Sequence, residues 1–286
     1  MKNIRQRIWL YAGTMLLATF WTGASIAQDV VVTRQQTYRG RVQSVTADGI
    51  QFEISGVGVI NIPRGAVVQM QVAPPPSITR GIAAYERGNI REARQSLDRI
   101  VFQYQGLDLD WAMKGLAYFG RAALLSEDFQ NAERAFNVFM QAYPDSSMAV
   151  DARLGLVEIE LQKKNFDTAL ETLREMAEVY DRQLKPPAEQ LPLSAGVYMA
   201  IGQALEGLQQ PEEAEQAYLR VIALYPDPRR YPEALYRCAS LMAARQQPSK
   251  AAMLLDELIE NYPTHSLNER AVELRNVVAA EIREDG

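Results

Sequence analysis

Few side chains in this 286-residue chain could carry out chemistry on a bound molecule. There is one histidine, His265, and one cysteine, Cys238. A nucleophilic triad or a zinc site needs several such groups within bonding distance of one another. His265 follows a Tyr-Pro pair in a turn-like stretch, whereas Cys238 lies in the apolar run "EALYRCASLMAA", which is typical of a buried helix. We therefore expect one turn residue and one core residue, and no catalytic pair.

Two further stretches could suggest catalysis or phosphate binding. Asp108 and Asp110 in "GLDLDWA" precede a helical pattern, where capping of the helix explains them better than a pair of catalytic carboxylates. The "GVGV" at residues 56–59 is followed by neither a helix nor a Lys-Ser/Thr pair, so it does not fit a phosphate-binding loop. The sequence predicts a protein that is not an enzyme, with no cofactor and no metal.

The N-terminal segment, residues 1–27, has the three parts of a signal peptide. Lys2, Arg5 and Arg7 come first, an apolar stretch covers residues 8–20, and small residues at Ser25 and Ala27 suit a cleavage site. Residues 1–27 are therefore predicted to be a signal peptide for export to the bacterial periplasm. The alternative is an uncleaved segment that anchors the chain in the inner membrane, since residues 8–27 are just long enough to span it.

The charge of the chain limits its partners. The net charge of −5 includes +3 from residues 1–27, so removal of that segment leaves −8. An acidic protein is a poor partner for the phosphates of nucleic acid. We expect no nucleic-acid partner, and membrane contact only if the signal segment is retained.

A short β module follows, at residues 28–73. Alternating Val, Ile and Thr residues predict four or five strands, and the Asp-Gly pair in "TADGI" predicts a hairpin turn. This length and pattern suggest a small SH3-like or Sm-like β barrel. Residues 74–77 contain three consecutive prolines and predict a stiff, extended linker.

From residue 78 to 286 an alanine and a tyrosine eleven positions later recur five times. The alanines are Ala93, Ala132, Ala169, Ala214 and Ala251; the tyrosines are Tyr104, Tyr143, Tyr180, Tyr225 and Tyr262. Apolar residues at offsets of four and seven complete one face of a helix. A second helical pattern precedes each alanine, and Asn89, Asp128, Asn165, Gln210 and Gln247 stand where the second helix would begin. Three tyrosines precede a proline, which would end that helix.

The alanines are spaced by 39, 37, 45 and 37 residues, which indicates stacked helical hairpins. A proline-rich insertion at residues 181–196 accounts for the longest step. The stretch "SLNERAVELRNVVAAEIRE" then predicts a polar capping helix. The predicted fold is mainly all-α: a solenoid of about five hairpins plus a capping helix, preceded by the small β barrel.

These repeats resemble tetratricopeptide repeats. Small residues Gly81, Gly120 and Gly202 stand twelve positions before the alanine, and Pro144, Pro226 and Pro263 stand twelve after it. The Tyr-Pro pairs and the 37-residue step are similar to those of exported bacterial members, such as the Tol–Pal-associated periplasmic coordinator and the tetratricopeptide lipoprotein of outer-membrane barrel assembly. The resemblance implies a non-catalytic scaffold or adaptor that binds other envelope proteins or peptides.

In this family the first helix of each hairpin lines a concave groove that commonly holds an extended peptide or a partner helix. Positions expected to face that groove are Tyr85, Lys114, Arg121, Leu154, Glu158, Met199, Gln203 and Tyr236. Lys114 and Arg121 are seven positions apart on one helix and are predicted to form a positive spot for a partner's carboxylate. The double variant Arg121→Glu with Tyr236→Ala is therefore expected to weaken partner capture and to leave the melting temperature nearly unchanged. Leu154 and Met199 could equally be core between repeats.

A second class of function also fits the sequence. The chain could be a structural envelope component whose β module contacts peptidoglycan or membrane, while the repeats act as a spacer or an oligomerisation unit.

If the signal segment is removed on export, the purified protein begins near Gln28. Intact-mass spectrometry of protein isolated from its host checks this directly. A mass that still includes Met1–Ala27 contradicts cleavage and indicates the anchored form.

Overall fold

A computed structural model describes residues 28–46, 48–182 and 187–284. The predicted signal peptide lies outside the described residues, as does the middle of the 181–196 insertion. Within the described part, five antiparallel strands precede twelve α-helices. The predicted order of a β module followed by helical hairpins is confirmed.

The β module is one bent sheet. Its strands are β1 (Asp29–Thr33), β2 (Thr37–Val45), β3 (Ile50–Ile54), β4 (Gly58–Ile62) and β5 (Val67–Gln71), in the spatial order β4-β3-β2-β1-β5. The first half of β2 pairs with β1 and the second half with β3, with a register shift between Val42 and Ser44. Such an irregularity lets one strand turn the corner between two small sheets. The sheet thereby encloses a core that includes Val31, Phe52 and Ile62.

Five hairpins and a final helix make up the remainder. The helices are α1 (Pro76–Glu86), α2 (Ile90–Leu97), α3 (Ile100–Gln103), α4 (Asp110–Leu125), α5 (Phe129–Ala142), α6 (Ala149–Gln162), α7 (Phe166–Asp181), α8 (Leu191–Gly207), α9 (Pro211–Leu224), α10 (Tyr231–Ala244), α11 (Pro248–Asn261) and α12 (Asn268–Glu284). The first helices of the hairpins are α1, α4, α6, α8 and α10, and α12 covers the end of the stack.

The second helices begin at the residues predicted for them. All five predicted positions are N-caps. The side chain of Asn89 accepts a hydrogen bond from the Glu92 N–H, and Asp128 accepts one from the Asn131 N–H. Gln210 and Gln247 are each followed by a proline at the first helical position, where its missing N–H costs nothing.

Small residues let the two helices of each hairpin lie close together. The five repeated alanines are buried. A Cβ added to Gly202 of α8 would lie 2.4 Å from a ring carbon of Tyr218 in α9, and one added to Gly120 of α4 would lie 2.6 Å from the ring of Phe136 in α5. In these two hairpins the large side chain four positions after the alanine therefore occupies space that the glycine leaves open.

Only part of the proline run is available for the extended linker that the sequence predicts. Pro76 is the first residue of α1, so the helix begins inside the proline run. The β module is also packed against the solenoid. The indole N–H of Trp111 in α4 donates to the carbonyl of Val72 at 3.0 Å, and Leu107 and Ala112 share the apolar core of the sheet. The module is thus fixed to the first two hairpins.

The second half of the first hairpin departs from the continuous helix that the repeat predicts. The helix is interrupted between α2 and α3, where Arg99 has a positive φ of 61°. Val101, rather than the predicted Ile100, is then the buried residue. Tyr104 packs edge-to-face on Trp111, with ring centroids 5.3 Å apart, next to the β module. The break therefore accompanies the docking of the sheet.

Ala214→Leu is expected to destabilise the fold by about 1–3 kcal/mol, because three extra carbon atoms must fit between closely packed helices. Ala280→Leu on the exposed side of α12 is the matched control and should change the free energy of unfolding by less than about 0.5 kcal/mol. Urea denaturation measures both. Equal stabilities of the two variants would show that Ala214 does not face its partner helix.

Candidate partner-binding groove

Four successive first helices line one cavity of about 390 Å³, which we call the inner groove. Its residues are Leu124, Leu125, Glu127, Phe129, Glu158, Gln162, Gly196, Met199, Ala200, Gln203, Arg230 and Glu233. They come from the end of α4 and the start of α5, from α6, from α8 and from the beginning of α10. Three predicted groove residues, Glu158, Met199 and Gln203, are therefore brought together here.

The inner groove has an apolar part beside charged groups. Leu125 is 64% exposed although it is a large aliphatic residue. Leu124, Met199 and Ala200 lie beside it in the same cavity. This group of apolar side chains within one cavity provides a surface on which an apolar group could pack.

A second cavity of about 690 Å³, which we call the C-terminal cavity, shares Glu233 with the inner groove. Tyr236, another predicted groove residue, lies here beneath the guanidinium of Arg270, 4.9 Å from the ring centroid. Arg237 is bound by Glu206 at 3.2 Å and by Glu233 at 2.8 Å. The two cavities thus adjoin at Glu233, and their lining residues extend from α4 to α12.

The prediction that Arg121 forms a positive spot for a partner's carboxylate is wrong. Arg121 is buried, and its guanidinium is hydrogen-bonded to the carboxylate of Asp151 at 2.7 and 3.0 Å and to Glu158 at 2.6 Å. Burial by itself lowers the pKa of Arg121, but Glu158 and Asp151 reverse the effect and raise the pKa. Arg121 is therefore an ion-paired link between α4 and α6, and it cannot receive a partner's carboxylate without giving up its own.

Three other residues predicted to face the groove contact residues of the chain itself. Lys114 pairs with Asp110 at 3.0 Å, which makes it part of an exposed intrahelical ion pair. Tyr85 stacks on Tyr118, with centroids 4.4 Å apart. Leu154 is fully buried in the core between hairpins, so the alternative interpretation as core is correct for this residue. Met199 is also largely buried but contributes to the wall of the inner groove.

The side chains that the sequence analysis considered for catalysis lie in separate parts of the structure. Cys238 is a buried core residue, as predicted, and burial raises the pKa of its thiol to about 12. His265 lies in the turn before α12, as predicted, where its Nδ1 accepts a hydrogen bond from the Leu267 N–H. The capping role predicted for the two aspartates is wrong, because Leu109 is the N-cap of α4. Among the described residues, no group of three metal-binding side chains is found.

Arg230 is the groove residue that the repeat pattern misses. It is the N-cap of α10, and its side chain is 26% exposed. A Cβ on Gly196 would lie 3.1 Å from one of its terminal nitrogens, so the guanidinium lies against α8 at this glycine. The signal in the sequence is "YPDPRRY", in which Arg229 and Arg230 stand where the other Tyr-Pro turns have Ser147-Met148 and Ser266-Leu267.

The comparisons with known proteins agree with this fold. Models described as "Tetratricopeptide repeat" match residues 118–189, 195–228 and 233–265. Among curated proteins, no sequence match is found.

Two solved structures have a similar fold. A thermophilic tetratricopeptide-repeat protein of Thermus thermophilus has 16% identity and a TM-score of 0.50, covering 72% of this chain and 97% of that one. A tetratricopeptide repeat protein from Parabacteroides merdae has 14% identity and a TM-score of 0.53, covering 71% and 70%. The chain thus contains tetratricopeptide repeats, a class that generally serves in protein interaction.

Among the described residues, no helix has the length and apolar character needed to cross a membrane.

Arg121→Gln is expected to destabilise the fold by about 2–3 kcal/mol, because it leaves Asp151 and Glu158 without their shared cation. Lys114→Gln, which breaks the exposed pair with Asp110 on the same helix, should leave the melting temperature nearly unchanged. Thermal unfolding of the two variants checks this. If both melt together with the wild type, the ion-paired link between α4 and α6 is not a structural element.

Proposed function

We propose that this protein is a non-catalytic scaffold of the bacterial cell envelope, exported to the periplasm, that holds segments of partner proteins in the inner groove. The observation that carries the proposal is the lining of one cavity by four successive first helices, continued by the C-terminal cavity to α12. A groove of this length suits an extended peptide, which can contact successive hairpins from the second to the fifth.

Two further observations support the envelope role. Residues 1–27 have the pattern of a signal peptide. The Tyr-Pro pairs and the repeat step resemble those of exported tetratricopeptide proteins, among them the Tol–Pal-associated coordinator and the barrel-assembly lipoprotein. We infer that this protein likewise brings together components of the envelope.

One observation favours the alternative of a structural component that attaches through its β module. Val57 and Val59 at the β4 edge and Val68 on β5 are exposed apolar residues. Edge strands with such residues can pair with or adhere to another surface. In that case the module would contact peptidoglycan or membrane, and the repeats would set the distance.

Site-specific photocrosslinking in the native host distinguishes the two functions. The photoreactive residue is placed at Gln203 in the inner groove, at Val59 on the β4 edge, or at Met253, an exposed position on α11 that serves as the control. We expect discrete protein crosslinks from Gln203 in the fraction released by osmotic shock, and background from Met253. Crosslinks from Val59 with none from Gln203 would favour attachment through the β module. Retention in the cytoplasm would contradict export.

A further inference from the structure

Arg230 differs from two other arginines of the repeats, Arg121 and Arg237, in how its charge is compensated. Arg121 and Arg237 are each held by two carboxylates at 2.6–3.2 Å. Within the described residues, the guanidinium of Arg230 has a single ion-pair partner, Asp227, at 3.8 Å. That separation is too long for a hydrogen bond. The cation therefore lines the inner groove with hydrogen-bonding capacity to spare.

Asp227 is occupied by other groups, which explains why it does not bind Arg230 more closely. It is 4% exposed, accepts a hydrogen bond from the Arg229 N–H at 3.2 Å, and pairs with the Arg229 guanidinium at 3.4 Å. Its backbone carbonyl accepts the N–H groups of Arg230 and Tyr231 at 3.0 and 2.8 Å. These bonds fix the turn before α10 and direct Arg230 over Gly196.

The electrostatics agree with this geometry. Burial lowers the pKa of Arg230, and the attraction of Glu158 is opposed by the nearby charge of Arg121. An arginine with two close carboxylates shows the opposite behaviour, as Arg121 does. Arg230 remains a cation, and an added carboxylate would be stabilised by it.

The surroundings restrict which anion can bind. Glu127, Glu158 and Glu233 line the same cavity. Glu158 and Glu233 share their arginine partners, Arg121 and Arg237, with Asp151 and Glu206, so the surroundings stay acidic and a multiply charged group such as phosphate would be repelled. A single carboxylate, which matches the planar guanidinium in two parallel hydrogen bonds, adds only one negative charge. The aliphatic wall formed by Leu125 and Met199 lies in the same cavity and is suited to an apolar neighbour.

We propose that the inner groove recognises an extended segment of a partner protein that carries one Asp or Glu carboxylate, bound by Arg230, next to an aliphatic side chain that packs on Leu125 and Met199. The other residues of the segment are neutral or basic, because they meet the three glutamates. This specificity rests on the proposed function, since it names the chemistry of the segment that the groove holds.

The test begins with selection of peptides from a random phage-displayed library on the purified full chain, with detergent present if the N-terminal segment is retained. Selected peptides are kept if the groove-filling variant Gln203→Trp prevents their binding. We expect them to share one acidic residue beside Leu, Ile, Val or Met. A failure to obtain any peptide that Gln203→Trp blocks overturns the proposed function and the specificity together.

The affinity of one selected peptide, and of its counterpart with the acidic residue changed to the amide, is then measured by fluorescence anisotropy. Arg230→Gln should weaken binding of the acidic peptide by about 10–100-fold and leave the amide peptide nearly unaffected. Arg230→Lys keeps the charge but not the planar guanidinium. Its affinity for the acidic peptide should lie between those of the wild type and Arg230→Gln. Arg91→Gln, an exposed arginine on α2, is the matched control and should leave both affinities unchanged.

Groove-binding peptides without a shared acidic residue, or equal losses for both peptides on Arg230→Gln, would overturn the specificity and leave the scaffold function intact. Circular-dichroism melts of the variants show that each is folded at the temperature of the binding assay.

Discussion

The close approach of two helices within each hairpin is the constraint on which the rest of this structure depends. Alanine or glycine on one helix faces a large side chain on the other, as where Tyr218 fills the space that Gly202 leaves open. Protein interiors are packed as densely as organic crystals, so such a site accepts little change in volume. The five repeated alanines are buried at equivalent positions, and the first helices α4, α6, α8 and α10 line one cavity. The inner groove is a consequence of this repeated packing.

Ion pairs then connect one hairpin to the next along that groove. The cluster of Arg121, Asp151 and Glu158 joins α4 to α6, and the charge of Arg230 acts on Glu158 from the turn before α10. Replacing one member of a half-buried cluster leaves its partners desolvated without compensation, which makes these residues structural. Glu158 is paired with Arg121 in this cluster, and among the described residues the guanidinium of Arg230 has only a long contact to Asp227. As far as the described residues show, Arg230 is therefore a cation of the inner groove without a close carboxylate partner.

The β module is joined to the repeats by packing, not suspended from them. Its core continues into Leu107 and Ala112, and Trp111 ties α4 to the end of the sheet. The break between α2 and α3 accompanies this contact, since it allows Tyr104 to meet the sheet beside Trp111. A partner bound in the groove would consequently be held at a defined position relative to the edge strands of the module.

By itself the sequence determined the repeat, because the offsets of Ala214, Tyr218 and Tyr225 are local properties of one helix face, and the N-caps and prolines mark where each helix starts and stops. It also determined which helices would line the groove, and Glu158, Met199 and Gln203 do so. Only the tertiary structure decided which groove charges are already neutralised. Arg121 of α4 meets the carboxylates of Asp151 and Glu158 on α6, while Arg230 lies across α8 against Gly196. Sequence spacing places side chains on the face of their own helix, but ion pairing depends on distances between different helices, which are set by how the hairpins stack.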